Sequence, residues 1–469
     1  MKIYIDNFSI LLMSGSIYEP FLFELQSGDS NILDNSKKDN LITSSTINIP
    51  LISLGFHNFI HRTKSAMAIT NNLGTKNKFY YVINPFEHVI ANYEDSLNNL
   101  TKQYLNITDD VPEIQSRKFY KMWEILFLFG IAEKKELKYA IISENPSAFI
   151  QAVINYREKF VNSIEKDKIY GITIHSEKEK YIEMGKQFLG FYNNYKPGLI
   201  NIHPKQNSKK KHHGGGKTTV DITQIKTISQ FKKDIDKSKN YADLISADGT
   251  IIWDDDNFQE QEAYQLILGE IIGALRVQAK DGAFVLKIFE TFTIPTIKMI
   301  YLVSSFYNQT FIYKPFYSRA SNSEKYLICK GFKYDQIKDS KILNLKINSL
   351  EKVLEDMNTN KFVFDIFPEL KLTTEYLDKF KFINIKIANS QQIIINKIVT
   401  YIKENNYFGE KYHSHREKQI DATKWWISIF YPPSKNLFEK MKDDSQKLLQ
   451  SAKEKKQIEE SKFILQLVK

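Results

Sequence analysis

Four side chains in this sequence, two amines and two carboxylates, are of the types that together could do acid–base chemistry. Lys287 sits in residues 282–289, GAFVLKIF, where its neighbours Phe284, Val285, Leu286, Ile288 and Phe289 are all apolar. An apolar strand penalises the charged form of a lysine, and a neutral amine can act as a base. Asp248 ends another apolar run, 241–247, in Ala-Asp-Gly, which suits a carboxylate held at a tight turn. Glu324 closes Ser318-Arg319-Ala320-Ser321-Asn322-Ser323-Glu324 and leads into a further apolar run. Lys121 lies in Arg117-Lys118-Phe119-Tyr120-Lys121-Met122-Trp123-Glu124-Ile125, where the apolar residues recur at helical spacing. Taken singly, each has a plain structural explanation. Lys287 can snorkel from a strand end into water, and the others read as a turn aspartate, an exposed strand-start glutamate and a surface helix lysine. All four together, in this order, are much harder to explain one at a time.

The elements that must position them alternate. Helical patterns cover 116–130, 148–160, 177–192, 258–279 and 295–307. Strand patterns cover 139–142, 169–174, 198–203, 241–247, 282–289, 309–314 and 325–330. Strands joined by helical crossovers form a mainly parallel sheet covered on both faces. The loop between the last two strands is too short for a crossover, so they should pair antiparallel. The expected fold is therefore an α/β, Rossmann-like sheet, mainly parallel with one antiparallel strand. Ligands of such sheets bind at the carboxyl ends of the strands. Three regions follow: 1–114, of mixed pattern and unknown role; 115–335, the α/β domain; and 336–469, mostly helical.

Residues 204–240 carry ten lysines against three aspartates and read as a flexible basic loop inserted in the domain. His212 and His213 lie within it, but adjacent side chains point apart and no third ligand is near, so no metal is expected. The single cysteine, Cys329, excludes a disulfide framework and a Cys-based zinc site, and fits a reducing compartment. No run of about 18 apolar residues suggests a membrane span. The first residues make a poor secretory signal, with Asp6 and Asn7 breaking the apolar stretch. These features lead us to expect a soluble, cytoplasmic protein. The net charge of +10 over 469 residues is a modest basic excess that favours a polyanion without specifying one.

The order Lys, Asp, Lys, Glu on this α/β pattern resembles the RrmJ/FtsJ-like 2′-O-ribose methyltransferases of RNA, and within them the cap-specific branch, including versions from large cytoplasmic DNA viruses. The resemblance rests on RKFYKMWEIL, ADLISADG, GAFVLKIFETFT and KPFYSRASNSEKYLICKGF. It covers about residues 115–335. It implies that Lys287 is the general base for a ribose 2′-hydroxyl, flanked by Asp248 and Lys121, with Glu324 holding the amines or the ribose. It also implies S-adenosyl-L-methionine as the methyl donor. The family's Gly-rich turn after the first strand is replaced by Ser143-Glu144-Asn145-Pro146-Ser147-Ala148-Phe149. Pro146 and Phe149 match, whereas Ser147 and Ala148 stand where glycines are usual. Asn145 tolerates a left-handed conformation and is expected to make the turn. Glu144, His175, Asp221 and Asp248 complete the expected cofactor set, although Asp221 also suits a helix cap.

The same resemblance points to Arg319, Ser321, Asn322 and Ser323 as RNA-binding. Capped mRNA is the first expected substrate, with capping or transcription machinery as partner, in a host cytoplasm or virion for a viral protein. The alternatives are a ribosomal or transfer RNA 2′-O-methyltransferase, and a catalytically silent RNA-binding or scaffold subunit of a capping complex. The 26 tyrosines and 32 phenylalanines are too many to single out a cap-stacking pair.

Overall fold

The computed structural model describes residues 18–34, 40–46, 52, 54–73, 78–87, 114, 116–143, 148–161, 165–172, 188–203, 221–236, 241–249, 258–357, 361–405, 407–432 and 435–468. In chain order the strands are β1 (Phe21–Leu25), β2 (Leu41–Ser44), β3 (Lys138–Ile142), β4 (Lys168–Ile172), β5 (Ile200–His203), β6 (Ala242–Ala247), β7 (Gln278–Ile288), β8 (Tyr307–Lys314), β9 (Lys325–Phe332) and β10 (Phe362–Ile366). The longer helices are α1 (Leu54–Ser65), α2 (Lys118–Phe129), α3 (Ala148–Phe160), α4 (Ile225–Asp236), α5 (Tyr264–Val277), α6 (Ile294–Ser305), α7 (Ser340–Asp356), α8 (Thr374–Lys403), α9 (Glu410–Phe430) and α10 (Lys435–Val468).

Eight strands form one sheet in the order β1-β8-β9-β7-β6-β3-β4-β5. The run β7-β6-β3-β4-β5 is parallel throughout, as the alternating pattern requires. β9 is antiparallel to both β7 and β8, which is the antiparallel strand expected from the short loop. The sheet also carries a second one: β1, from the N-terminal region, pairs antiparallel with β8. The N-terminal region is thus built into the sheet of the α/β domain. It also meets the C-terminal region, through the two-stranded pairing of β2 with β10. A five-residue strand at a sheet edge gives too little alternation to stand out in sequence.

Side-chain alternation along the strands divides the core into two layers. Phe284, Leu286 and Ile288 of β7 point to one face and join a core built with α5, α6 and α7. Ala283 and Val285 point to the other and pack with α2, α3, α9 and α10. Lys287 follows the second set. α2 is apolar on nearly every side and is buried between the sheet and the C-terminal helices, where Trp123 donates to Phe430 O at 2.6 Å and stacks on Tyr431. The helix stops at Gly130, whose φ of 60° suits a residue without Cβ and lets its N–H reach Leu126 O.

The inserted basic segment is partly regular. Within 204–240, α4 packs Ile228, Phe231 and Ile235 into the core. Lysines between these apolar positions hide the helical period from a reading of composition. Residues 204–220 and 237–240 lie outside the described residues, as does most of the expected helix at 177–192.

The start of the sheet is pinned by a buried arginine. Arg157 of α3 makes a two-point pair with Asp167 before β4, and donates to the carbonyls of Ala132 and Lys134 before β3. Asp167 in turn accepts the N–H of Leu137 at 2.8 Å. Arg157→Met should destabilise the fold by about 3–5 kcal/mol, because it leaves a buried carboxylate without its cation. Denaturant unfolding measures this, and a loss below about 1 kcal/mol would show that Asp167 is satisfied without Arg157.

Candidate active site

Strand register gathers the charged residues at one place. Ala247 pairs with Leu286 and Lys287 pairs with Tyr326, so Asp248, Lys287, Tyr326 and Glu324 share the face covered by α2. From above, α2 presents Lys118 and Lys121, three residues apart on one helical face. Lys287 Nζ lies 3.0 Å from Asp248 Oδ1 and donates to the Asp248 carbonyl oxygen at 3.2 Å. Lys118 pairs with the other carboxylate oxygen, Asp248 Oδ2. Lys121 Nζ lies 2.5 Å from Glu324 Oε1, which also accepts Ser318 Oγ at 2.9 Å. The Tyr326 hydroxyl donates to Asp248 Oδ1 at 3.4 Å. Asp248, Lys287 and Lys121 are 1%, 3% and 7% exposed, whereas the side chains of Glu324 and Lys118 reach nearer to water, at 18% and 32%.

The charges hold one another. Burial pushes the Asp248 carboxyl up, but the ammonium groups of Lys118 and Lys287 outweigh it and keep it below the usual carboxylate range. Burial acts on Glu324 in the same way and is overcome by Lys121 and Lys287, so Glu324 stays ionised far below its ordinary value. Burial lowers Lys121, with Glu324 and Asp248 opposing.

Several members of the cluster were not picked out from sequence. Lys118 is one; its spacing from Lys121 was the available signal. Lys314, at the end of β8, is another. Its amine contacts Asn322 O at 2.9 Å, Asn322 Oδ1 at 3.0 Å and Glu324 O at 2.7 Å, and burial pushes it down to about 7. It clips together the loop that carries Glu324. Glu124, one turn beyond Lys121, accepts from Tyr313 OH, Phe316 N, Tyr317 N and Trp426 Nε1, which fixes α2 against the start of that loop.

The residues expected to bind RNA are engaged within the protein. Arg319 makes a two-point pair with the buried Glu87 and lies over the Tyr81 ring at 3.9 Å. Ser321 O accepts from Gln391, Asn322 holds Lys314, and Ser323 is buried with its carbonyl near Lys325 Nζ. These contacts shape the Glu324 loop. Beside it opens a cleft of about 450 Å³, walled by Tyr18, Phe86, Phe316, Arg117, Lys314 and Arg319 among others.

Ser143 and Gly249 lie just beyond the carboxyl ends of β3 and β6. Ser143 ends β3 in the left-handed region, with φ 61°, and its N–H reaches Ile172 O of β4. The residue described as making this turn is therefore Ser143. The expected turn residues Glu144, Asn145, Pro146 and Ser147, and likewise His175, lie outside the described residues. Ala148 and Phe149 begin α3 and are buried. The N–H of Gly249 donates to Glu270 Oε1 at 3.0 Å, and a Cβ there would stand 2.5 Å from that oxygen. Burial pushes the Glu270 carboxyl up to about 8. Asp221 Oδ1 accepts the N–H and hydroxyl of Thr223 in a turn that precedes α4, so it does not cap that helix. The small residues Ser143 and Gly249 at these strand ends, with the carboxylate of Asp248 beside them, are chemically compatible with a cationic nucleoside donor.

Comparison with known proteins places residues 114–332 on the family model of the FtsJ-like methyltransferases. The chain is 32% identical over 151 residues to cap-specific mRNA (nucleoside-2′-O-)-methyltransferase 1 of Bos taurus, covering 31% of this chain and 18% of that one. It is 24% identical over 217 residues to an inactive cap-specific mRNA (nucleoside-2′-O-)-methyltransferase 1B of Caenorhabditis briggsae, covering 45% of this chain and 24% of that one. The solved structure of TrmN from Thermus thermophilus overlaps 46% of this chain and 53% of that one, at 9% identity and a TM-score of 0.27. The chain thus matches about a quarter or less of the length of these two curated relatives.

Glu324 titrates far below its ordinary value of 4.5 in the folded state, so its pairing stabilises the protein above that pH and the contribution is lost as pH falls toward the folded value. The stability difference between wild type and Glu324→Gln should be largest near neutrality and narrow below about pH 4.5. Denaturant unfolding across a pH series measures it, and a difference independent of pH would remove the pairing from the account.

Proposed function

We propose that this chain, whose residues 114–332 form an FtsJ-like methyltransferase domain, methylates a ribose 2′-hydroxyl of RNA, at the cap-proximal nucleotide of mRNA. The observation that carries the reading is the convergence of Lys121, Asp248, Lys287 and Glu324, from one helix and three strand ends, into one buried cluster. S-adenosylmethionine, when bound, supplies the electrophilic methyl group. Ser143, Gly249 and the turn at 144–147, with His175 and Asp221, are the residues that would hold it.

Lys287 takes the 2′-hydroxyl proton onto Nζ. Asp248 fixes that amine from two sides, through Oδ1 and its own carbonyl oxygen. The cluster holds Lys118, Lys121 and Lys287 against Asp248 and Glu324. Each carboxylate keeps a cation apart from Lys287: Asp248 pairs with Lys118 and Glu324 with Lys121. Glu324, the more exposed of the two carboxylates, faces the incoming ribose. The protein's share of the catalysis is positioning and one proton transfer. The cleft beside Glu324 offers aromatic walls and basic groups to a nucleotide. Capping or transcription machinery is the partner we assign, in the cytoplasm.

The match to an inactive relative gives weight to a second reading, in which this chain binds RNA without modifying it. One assay separates the two. The full chain is incubated with labelled S-adenosylmethionine and short RNA, capped or uncapped, and the methylated ribose is mapped. Label on the first or second transcribed ribose of capped RNA is the expected outcome. Label on internal ribose would move the substrate to ribosomal or transfer RNA. Binding without label would favour the silent subunit. Lys287→Ala should reduce transfer about 10²–10⁴-fold with RNA binding retained, and undiminished transfer would exclude Lys287 as the base.

A further inference from the structure

Away from the proposed ribose site, three side chains with metal-ligand chemistry meet where α1 crosses the end of β7. His57 and His61 stand four residues apart on one face of α1, with ring centroids 3.7 Å apart. Glu290 follows Lys287 by three residues, and its Oε2 lies 3.1 Å from His61 Nε2. One ligand atom from each of the three lies within 4.8 Å of the others. The histidines are 8% and 9% exposed and Glu290 is buried, yet among the described residues His57 Nδ1 has no hydrogen-bond partner. A buried polar nitrogen left without a partner is unfavourable, which calls for a ligand at this place. Lys64, on the next turn of α1, pairs with Glu290 Oε1. It occupies the oxygen other than the one facing His61 and steadies the carboxylate from behind.

We propose that His57, His61 and Glu290 bind a divalent transition-metal ion of the zinc class. Two imidazoles and a carboxylate are borderline donors that suit zinc and its neighbours, whereas magnesium and calcium take oxygen ligands. Bonds of about 2.0–2.1 Å place tetrahedral ligand atoms roughly 3.3 Å apart. The His61–Glu290 contact already meets that spacing, and the widest separation in the trio, no more than 4.8 Å, closes by up to about 1.5 Å with side-chain rotation. The fourth position is left to water. The ion ties α1, from the N-terminal region, to the turn after β7. Glu260 holds the same turn by accepting the N–H groups of Phe292 and Thr293, and Lys325 holds it by donating to Phe289 O. The metal therefore acts as a clamp on the chain that leaves the proposed base.

The test uses the full chain without an affinity tag, stripped with chelator and titrated with zinc against a chromophoric chelator. One tightly bound equivalent is expected in wild type, with affinity at least about 100-fold weaker in His57→Ala and in His61→Ala. The melting temperature of wild type should rise with zinc and stay unchanged with magnesium. His57→Ala is the informative variant, since the ion pairs of Glu290 with His61 and Lys64 survive it; circular dichroism verifies its fold. Lys64→Ala, on the far oxygen, should keep the bound equivalent and covers the case in which both histidine variants unfold. Equal binding by wild type and His57→Ala would assign the zinc to other histidines, such as His212 and His213, and overturn the proposal. Absence of tight zinc binding in wild type would do the same.

Discussion

The pair formed by Lys287 and Asp248 sets the terms for everything around it. Both groups are almost fully withdrawn from water, and an ammonium or a carboxylate in that position is strongly unfavourable alone. Each needs the other, and Asp248 needs Lys118 as well to remain ionised against burial. From this follows the placement of α2, which must run close enough over the strand ends to deliver Lys118 to Asp248 and Lys121 to Glu324. It also explains why α2 is so thoroughly anchored. Trp123 donates to the backbone at Phe430, and Glu124 collects four donors from three separate parts of the chain. A helix that carries two amines into a low-dielectric layer is held there by apolar packing and polar contacts along its remaining length.

The parts of this arrangement that were legible in sequence are those with a strong local period. A lysine between apolar residues in GAFVLKIF marks itself. Apart from α4, the β-α alternation from β3 to β9 could be followed in sequence, because its strands are bounded by turn residues and its other helices show an apolar stripe. Lys118 escaped notice because a lysine at a helix start looks like any solvated charge until Asp248 is seen opposite it. β1 and β10 were lost because four or five residues at a sheet edge carry little pattern. α4 was lost because ten lysines dominate the composition of its segment. His57 and His61 show metal-like spacing, but Glu290 is 229 residues away, and only folding joins them.

The residues Arg319, Ser321, Asn322 and Ser323 show a different limit. Their types suit RNA, yet the contacts they make serve the loop itself. Lys314 draws in Asn322 and the Glu324 carbonyl, Ser318 holds the Glu324 carboxylate, and Arg319 locks onto Glu87. Under the proposed function, Glu324 has to hold one orientation to meet a ribose, and the polar groups of the loop serve that end. Arg319 also walls the neighbouring cleft.

The regions outside 115–335 are part of this machinery in a physical sense. β1 completes the sheet beside β8, the strand that ends at Lys314. Glu87 accepts Arg319 from the Glu324 loop and also pairs with Arg117 at the start of α2. Trp426 of α9 is one of the four donors to Glu124, and burial brings that carboxyl up to about 7. Losing a donor to a buried carboxylate exposes the full unfavourable cost of its charge, so the N-terminal and C-terminal regions bear on the two lysines of α2 through short chains of direct contacts. The domain that carries the family match is thus embedded in flanks that fix the angle at which its amines enter the sheet.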